Sequence, residues 1–253
     1  MLFYGKTDVG RRRAVNQDNF IIRKYAGDVL FAVVCDGMGG ANGGDTASAV
    51  AVEVFREQLD RSEGEHPSFF GLSGEDILDI LSVGVTEANR EVFRMAGGDP
   101  SLAGMGTTLV GCVVEGDRVY AVNVGDSRMY AVKGGEIEQV SHDHSLVQYL
   151  VDCGRMTPEE AKVSTMKNRI TRAVGTEKTV GADFFELTVG IGDRLILCSD
   201  GLTNHVEPEE IRDITAGISP HDPASIQQAA ENLIALANER GGTDNITAVI
   251  LAV

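Results

Sequence analysis

Five aspartates stand at the borders of apolar, strand-like runs. Asp18 precedes the run beginning at Phe20, and Asp36 follows Leu30–Cys35 and precedes Gly37-Met38-Gly39-Gly40. Asp126 follows Val119–Gly125, Asp200 follows Leu195–Ser199 and precedes Gly201, and Asp244 sits just ahead of Ile246–Val253. A strand end is a rigid mount, and a neighbouring glycine lets another backbone approach or the chain turn sharply. If these ends converge, four or five carboxylates share a small volume and raise one another's pKa. Hard divalent cations relieve that repulsion, because Mg²⁺ and Mn²⁺ take carboxylates, carbonyls and waters in octahedral shells. Histidine is scarce near these positions, which disfavours zinc, and no EF-hand loop pattern is present. A single Asp-Gly after a strand is usually only a turn. Two readings therefore stand on spacing alone: unrelated turns, or one metal site.

The charge balance bears on the same question. The chain has 253 residues, with 22 Lys and Arg against 38 Asp and Glu, a formal net charge of −16. Such a protein does not track nucleic acid by bulk electrostatics, and anionic membranes repel it. An anionic substrate needs a local reversal of sign, from clustered Arg or Lys or from bound cations. The triplet Arg11-Arg12-Arg13 offers basic residues, although such runs are commonly solvated. No run reaches the ~18–20 apolar residues of a membrane span, and the start shows no apolar secretory stretch, so the expected location is the cytoplasm. Cys35, Cys112, Cys153 and Cys198 lie far apart with no C-x-x-C pair, so reduced thiols are expected, three of them buried in apolar runs.

The elements that must position these groups follow from periodicity. Short β-branched runs predict strands at Asn19–Lys24, Val29–Cys35, Thr108–Val114, Arg118–Val124, Arg128–Lys133, Phe184–Val189, Arg194–Cys198 and Ile246–Val253. Glu115–Asp117 and Lys133–Gly135 read as hairpin turns. Helices are predicted at about Asp45–Leu59, Glu75–Ala96, Leu146–Asp152 and Ala224–Arg240, with Pro158 opening a short one. In the second, Ile77, Leu78, Leu81, Val85, Ala88, Val92 and Phe93 recur at helical spacing, and Ser73 with Asp76 fits a capping box. Gln58–Ser73 reads as a polar loop and Cys153–Gly181 as a longer irregular stretch. The order lacks regular βαβ alternation, which points to α+β: mostly antiparallel sheets with helices packed outside.

Eight segments then match a family in order: Thr7–Phe20, Val33–Gly40, Gly104–Val110, Val122–Tyr130, Ser141–Val147, Arg169–Gly175, Leu195–Val206 and Gly241–Leu251. Together they resemble the metal-dependent protein phosphatases of the type 2C class in their compact bacterial form. The resemblance covers essentially the whole chain. It implies a single catalytic domain over residues 1–253, an antiparallel β-sandwich with helices on both outer faces, and a flap at about 153–181. The metal cleft would lie at one edge of the sandwich.

The resemblance also implies roles. Asp36 would bridge two Mn²⁺ or Mg²⁺ ions, with the Gly37 carbonyl on one of them and Asp200 and Asp244 completing the ligands. Asp126 would serve a third, weaker ion. Asp18 would hold water of the metal centre, with Gln17 beside it. Arg13 would bind phosphate, its planar fork suiting two oxygens. Three departures matter. Gln17 stands where many relatives have glutamate, Asn204 where some have another carboxylate, and Met38 where eukaryotic members often have a histidine thought to act as general acid. Met38 carries no proton, so the leaving group must be protonated by water or another group. His142 and His144 read as turn support. The implied activity is hydrolysis of phosphoserine and phosphothreonine by water activated between two cations. The expected setting is a monomer acting on phosphoproteins opposite a bacterial Ser/Thr kinase. A silent binding module and a hydrolase of small phosphate esters are the rivals; the absence of Trp disfavours a base-stacking pocket.

Overall fold

A computed structural model describes residues 1–65 and 72–253. The strands are β1 Leu2–Asp8, β2 Asp18–Lys24, β3 Leu30–Met38, β4 Gly106–Thr107, β5 Leu109–Glu115, β6 Arg118–Val124, β7 Arg128–Lys133, β8 Glu136–Gln139, β9 Asp183–Thr188, β10 Arg194–Cys198 and β11 Ile246–Ala252. The helices are α1 Gly40–Glu65, α2 Gly74–Gly98, α3 Leu146–Asp152, α4 Pro158–Val163, α5 Asp200–Thr203, α6 Pro208–Ala216 and α7 Pro223–Glu239.

Two antiparallel sheets form. One runs β1-β11-β10-β7-β8, the other β2-β3-β5-β6-β9, with β4 pairing the end of β3. Side chains alternate across each strand, and both faces of the central strands are covered, so their sequences read as continuous apolar runs. On β3, Leu30, Ala32 and Val34 face the other sheet, where they join Leu195, Leu197 and Val249. Phe31, Val33 and Cys35 face outward, onto Phe55 of α1 and Leu81 of α2. On the opposite outer face, Ile196, Ala248 and Ile250 pack beneath Ile211 of α6 and Leu233 and Ala237 of α7. The result is the expected helix-sheet-sheet-helix stack. No helix among the described residues is long and apolar enough to cross a membrane.

Most predicted elements form near their expected bounds. The Ser73–Asp76 capping box is present, and Pro158 opens α4 inside a second box, Thr157 with Glu160. Several expectations need correction. Helix α1 begins at Gly40 rather than Asp45 and runs through Gln58 to Glu65, where a polar loop was expected. Leu59 is buried there, and Arg56 pairs with both Glu53 and Asp60 along the same helix face, which supports the extra turns. Residues 66–71 of the expected loop lie outside the described residues. Phe93 keeps its helical register on α2 but is exposed. Strands β1, β4 and β8 and helices α5 and α6 were not anticipated. β1 and β8 are edge strands, half-exposed and rich in polar residues, so they carry no clean apolar run.

Candidate active site

The ends of strands from both sheets meet around an open pocket of about 410 Å³. Its lining includes Asp36, Asp126, Asp200, Asp244, Arg13, Gln17 and Gly37, with Met38, Gly39, Thr108, Asn168 and Ile170 completing it. Asp36 sits inside β3 rather than beyond it, because Gly37 and Met38 go on to pair with Thr107 and Gly106 of β4. Asp126 occupies the turn between β6 and β7, Asp200 opens α5 directly after β10, and Asp244 lies two residues before β11. Asp18 does not line the pocket. It pairs across the β2–β3 ladder with Asp36 and is buried beneath the floor, 4% exposed.

Two glycines make this convergence possible. A Cβ on Gly37 would stand 1.9 Å from the Gly44 carbonyl oxygen and 2.7 Å from that of Gln17. A Cβ on Gly201 would stand 1.9 Å from the Asn245 carbonyl oxygen, where the Asp200 and Asp244 segments touch. Only glycine fits either position, so the Asp-Gly pairs serve close backbone approach.

Hydrogen bonds orient the acids. Ser199 Oγ and Thr247 Oγ1 each donate to Asp18 Oδ2 at 2.7 Å, while Asp18 Oδ1 is buried without a partner. The Asp36 N–H donates to Thr108 Oγ1 at 2.9 Å, and Asn204 Nδ2 donates to Asp200 Oδ2 at 3.0 Å. Arg13 Nη2 donates to Asp244 Oδ2 at 2.7 Å with its side chain half-exposed. Arg11 and Arg12 are exposed and absent from the lining.

The electrostatic consequence is the expected one. Desolvation, then the charges of Asp18 and Asp200, hold Asp36 well above the ordinary carboxylate range. Asp18 is pushed up to about 7, by burial first and then by Asp200 and Asp244, against the hydroxyls of Thr247 and Ser199. Asp126 rises to about 8 through burial, Asp200 and Asp143. Burial and Asp244 raise Asp200, partly offset by the hydrogen bond from Asn204.

Whether such a pocket suits divalent cations rests on its donors. Among the described residues, no three His, Cys, Asp or Glu side chains stand close enough to form a ready chelate. The donor set nevertheless fits hard cations: four pocket carboxylates and, among the described residues, no imidazole or thiol in the lining. The raised pocket acids and the orphaned Asp18 Oδ1 are both signs of acids lacking positive charge.

Sequence reading missed Thr108, Asn168, Ile170 and the supporting Asn245. Asn245 is buried, accepts from the Gln17 N–H at Oδ1, and donates from Nδ2 to the Val9 and Val15 carbonyls, which belts the Arg13 loop to the Asp244 loop. The only available signal was its place beside Asp244; Asn168 and Ile170 lie in an irregular stretch with no pattern to read. Of the basic residues in 153–181, Lys162 and Lys167 line an adjoining groove of about 400 Å³ that shares Asp126, Asn168 and Asp200 with the pocket. Lys162 pairs with Glu207 at 2.8 Å and Arg172 with Asp183 at 2.7 Å. Cys35, Cys112 and Cys198 are buried free thiols away from the pocket, and Cys153 is an exposed free thiol.

Comparison with known proteins agrees with this architecture. A family model described as Protein phosphatase 2C matches residues 8–236. The chain belongs to the protein phosphatase 2C family. It is 35% identical over 246 residues to the serine/threonine phosphatase stp of Listeria monocytogenes, covering 97% of this chain and 93% of that protein. It is 36% identical over 254 residues to protein phosphatase PhpP of Streptococcus pneumoniae, covering 97% and 95%. The crystal structure of Stp1 from Staphylococcus aureus superposes with a TM-score of 0.89 at 33% identity, over 100% of this chain and 95% of that one. The catalytic domain of PstP, solved in complex with 2 manganese ions, gives 0.80 at 33% identity over 98% and 96%. The family match ends before Asp244, but the full-length superposition on Stp1 includes β11 and its approach.

Proposed function

We propose that this chain is a metal-dependent serine/threonine phosphoprotein phosphatase working with Mn²⁺ or Mg²⁺. Its substrates are phosphorylated proteins. One observation carries the site assignment: Asp36, Asp126, Asp200 and Asp244 share a single open pocket with Arg13 at the joined ends of two sheets. On this reading Asp36, the Gly37 carbonyl, Asp200 and Asp244 would hold two cations, and Asp126 would serve a third. Asp18 and Gln17 would hold water around them.

When bound, the cations lower the pKa of water and offset charge on the phosphoryl oxygens. The chain's residues do the rest. Arg13 uses one Nη2 donor on Asp244, which leaves the remaining donors of its fork to orient two phosphate oxygens for in-line attack. Asp18, fixed through Oδ2 by Ser199 and Thr247, leaves Oδ1 buried without a protein partner beneath the floor, the atom that would accept from a water of the metal centre. Thr108 fixes the Asp36 backbone. Among the described residues no histidine lines the pocket, and Met38 carries no proton, so the leaving serine or threonine oxygen takes its proton from water or from another group of the site. The chain forms one catalytic domain whose residues 153–181 act as a flap beside the pocket. We assign it to the cytoplasm, as a monomer opposing a Ser/Thr kinase.

The test is phosphate release from a phosphothreonine peptide. Turnover should require Mn²⁺ or Mg²⁺, vanish in EDTA and vanish in Asp36→Ala. A silent scaffold would show no turnover with any metal; a small-ester hydrolase would prefer a nucleotide or sugar phosphate in a substrate panel.

A further inference from the structure

His144 belongs to the turn after β8 and lies outside the pocket lining, yet it is 5% exposed and every polar atom it carries is engaged. Its Nδ1 accepts from the Gly125 N–H at 3.1 Å, and its own N–H donates to the Gly125 carbonyl at 2.8 Å. Nδ1 accepts from a backbone N–H, so the ring proton sits on Nε2, which donates to Asp183 Oδ2 at 3.1 Å; Arg172 Nη1, 3.0 Å from the same nitrogen, cannot donate to it in this tautomer. Arg172 Nη1 reaches the other oxygen of that carboxylate at 2.7 Å. The Gly125 carbonyl also accepts from Asn123 Nδ2 at 3.2 Å. Gly125 has φ of +110°, and a Cβ there would strike Thr108 Cγ2 at 2.6 Å. The residue immediately before Asp126 is thus gripped at both backbone polar groups by one side chain and its peptide.

The same histidine holds the pocket rim. Its carbonyl accepts from the Thr171 N–H at 2.7 Å, and Ser145 bridges Ile170, which lines the pocket. We propose that His144 is a positioning residue: its Nδ1 bond to Gly125 sets the direction in which Asp126 enters the pocket and ties that direction to rim residues 169–171. The proposal rests on the reading that Asp126 serves a cation.

The test separates the two ring nitrogens. In His144→Asn the amide oxygen falls where Nδ1 stands; in His144→Gln it reaches where Nε2 stands. Both lose the ring, so a merely structural role affects them alike. In the full-length protein with EDTA, amide exchange at Gly125 should stay near the wild-type rate in the Asn variant and run about tenfold faster in Gln and Ala. In a titration with Mn²⁺ alone, the weakest class of ions should lose about tenfold in affinity in Gln and Ala, as in Asp126→Asn, and little in His144→Asn. Equal Gly125 exchange in the Asn and Gln variants overturns the clamp. Weak-site affinity that falls in Asp126→Asn but is untouched in Gln overturns its link to Asp126. An isotherm unmoved by Asp126→Asn strikes instead at the cation role of Asp126, and the exchange data alone then decide the clamp.

Discussion

Removing the cations should make this protein less stable as pH rises, the reverse of ordinary acid denaturation. Asp18 moves from its ordinary 3.8 to about 7 in the fold, through burial first and then the charges of Asp200 and Asp244. The folded state therefore holds a proton that the unfolded chain has already released. The resulting stabilisation is fully present below 3.8 and is lost as pH climbs to about 7. At 1.36 kcal/mol per pH unit the whole rise is worth about 4 kcal/mol, of which roughly 2.7 kcal/mol falls between pH 5 and 7. That is a large share of a typical total of about 5–15 kcal/mol. Asp36, Asp126 and Asp200 are raised too and push the same way. The assay is urea unfolding at pH 5, 6, 7 and 8, with EDTA and again with Mn²⁺. With EDTA, stability should fall steadily, and Asp18→Asn should flatten the slope. Mn²⁺ at a hundred times its Kd should add about 2.7 kcal/mol, and more at the upper end of the range, where the acids are free to bind it. An EDTA-treated protein as stable at pH 8 as at pH 5, or an Asn variant with an unchanged slope, would refute the electrostatic reasoning.

Other outcomes follow from the packing. Gly37→Ala places a methyl 1.9 Å from the Gly44 carbonyl oxygen, so it should cost about 3 kcal/mol in urea unfolding and leave no measurable phosphate release. Asn245→Ala removes three part-buried side-chain hydrogen bonds, about 3 kcal/mol in all. Because it frees the Arg13 loop, inorganic phosphate should weaken as an inhibitor by about as much as in Arg13→Ala. Lys162→Ala breaks a pair whose side chains are 66% and 58% exposed; unfolding should shift by no more than about 0.5 kcal/mol.

The sandwich was legible because its central strands are buried on both faces and write themselves as unbroken apolar runs, β11 most plainly. The edge strands β1 and β8 gave no such signal: Glu136–Gln139 packs little and reads as surface. The pocket acids were legible for a different reason. Asp36, Asp200 and Asp244 each interrupt a strand border beside glycines or small residues, and the resemblance assigned them roles that local pattern left open. Asn245, His144 and Thr108 were not legible as site residues, since each acts through a backbone group on a distant segment. Val9, Gly125 and the Asp36 N–H have no side-chain signature of being held.

The long-range charge of the chain and the charge of its substrate have the same sign, and the pocket shows how they are reconciled. Four carboxylates and one guanidinium line it, leaving it at minus three when all are ionised. Such a site repels a phosphate dianion. Protons lessen the repulsion in the cation-free fold, because burial and mutual repulsion raise Asp36, Asp126 and Asp200, but a neutral pocket gives phosphate no electrostatic attraction. On the proposed reading, two divalent cations replace those protons and take the lining to plus one. The raised acids and the phosphate affinity are then one property: the charge a cation relieves is the charge that would otherwise exclude the substrate. Arg13 alone cannot make the reversal, because one of its donors already faces Asp244.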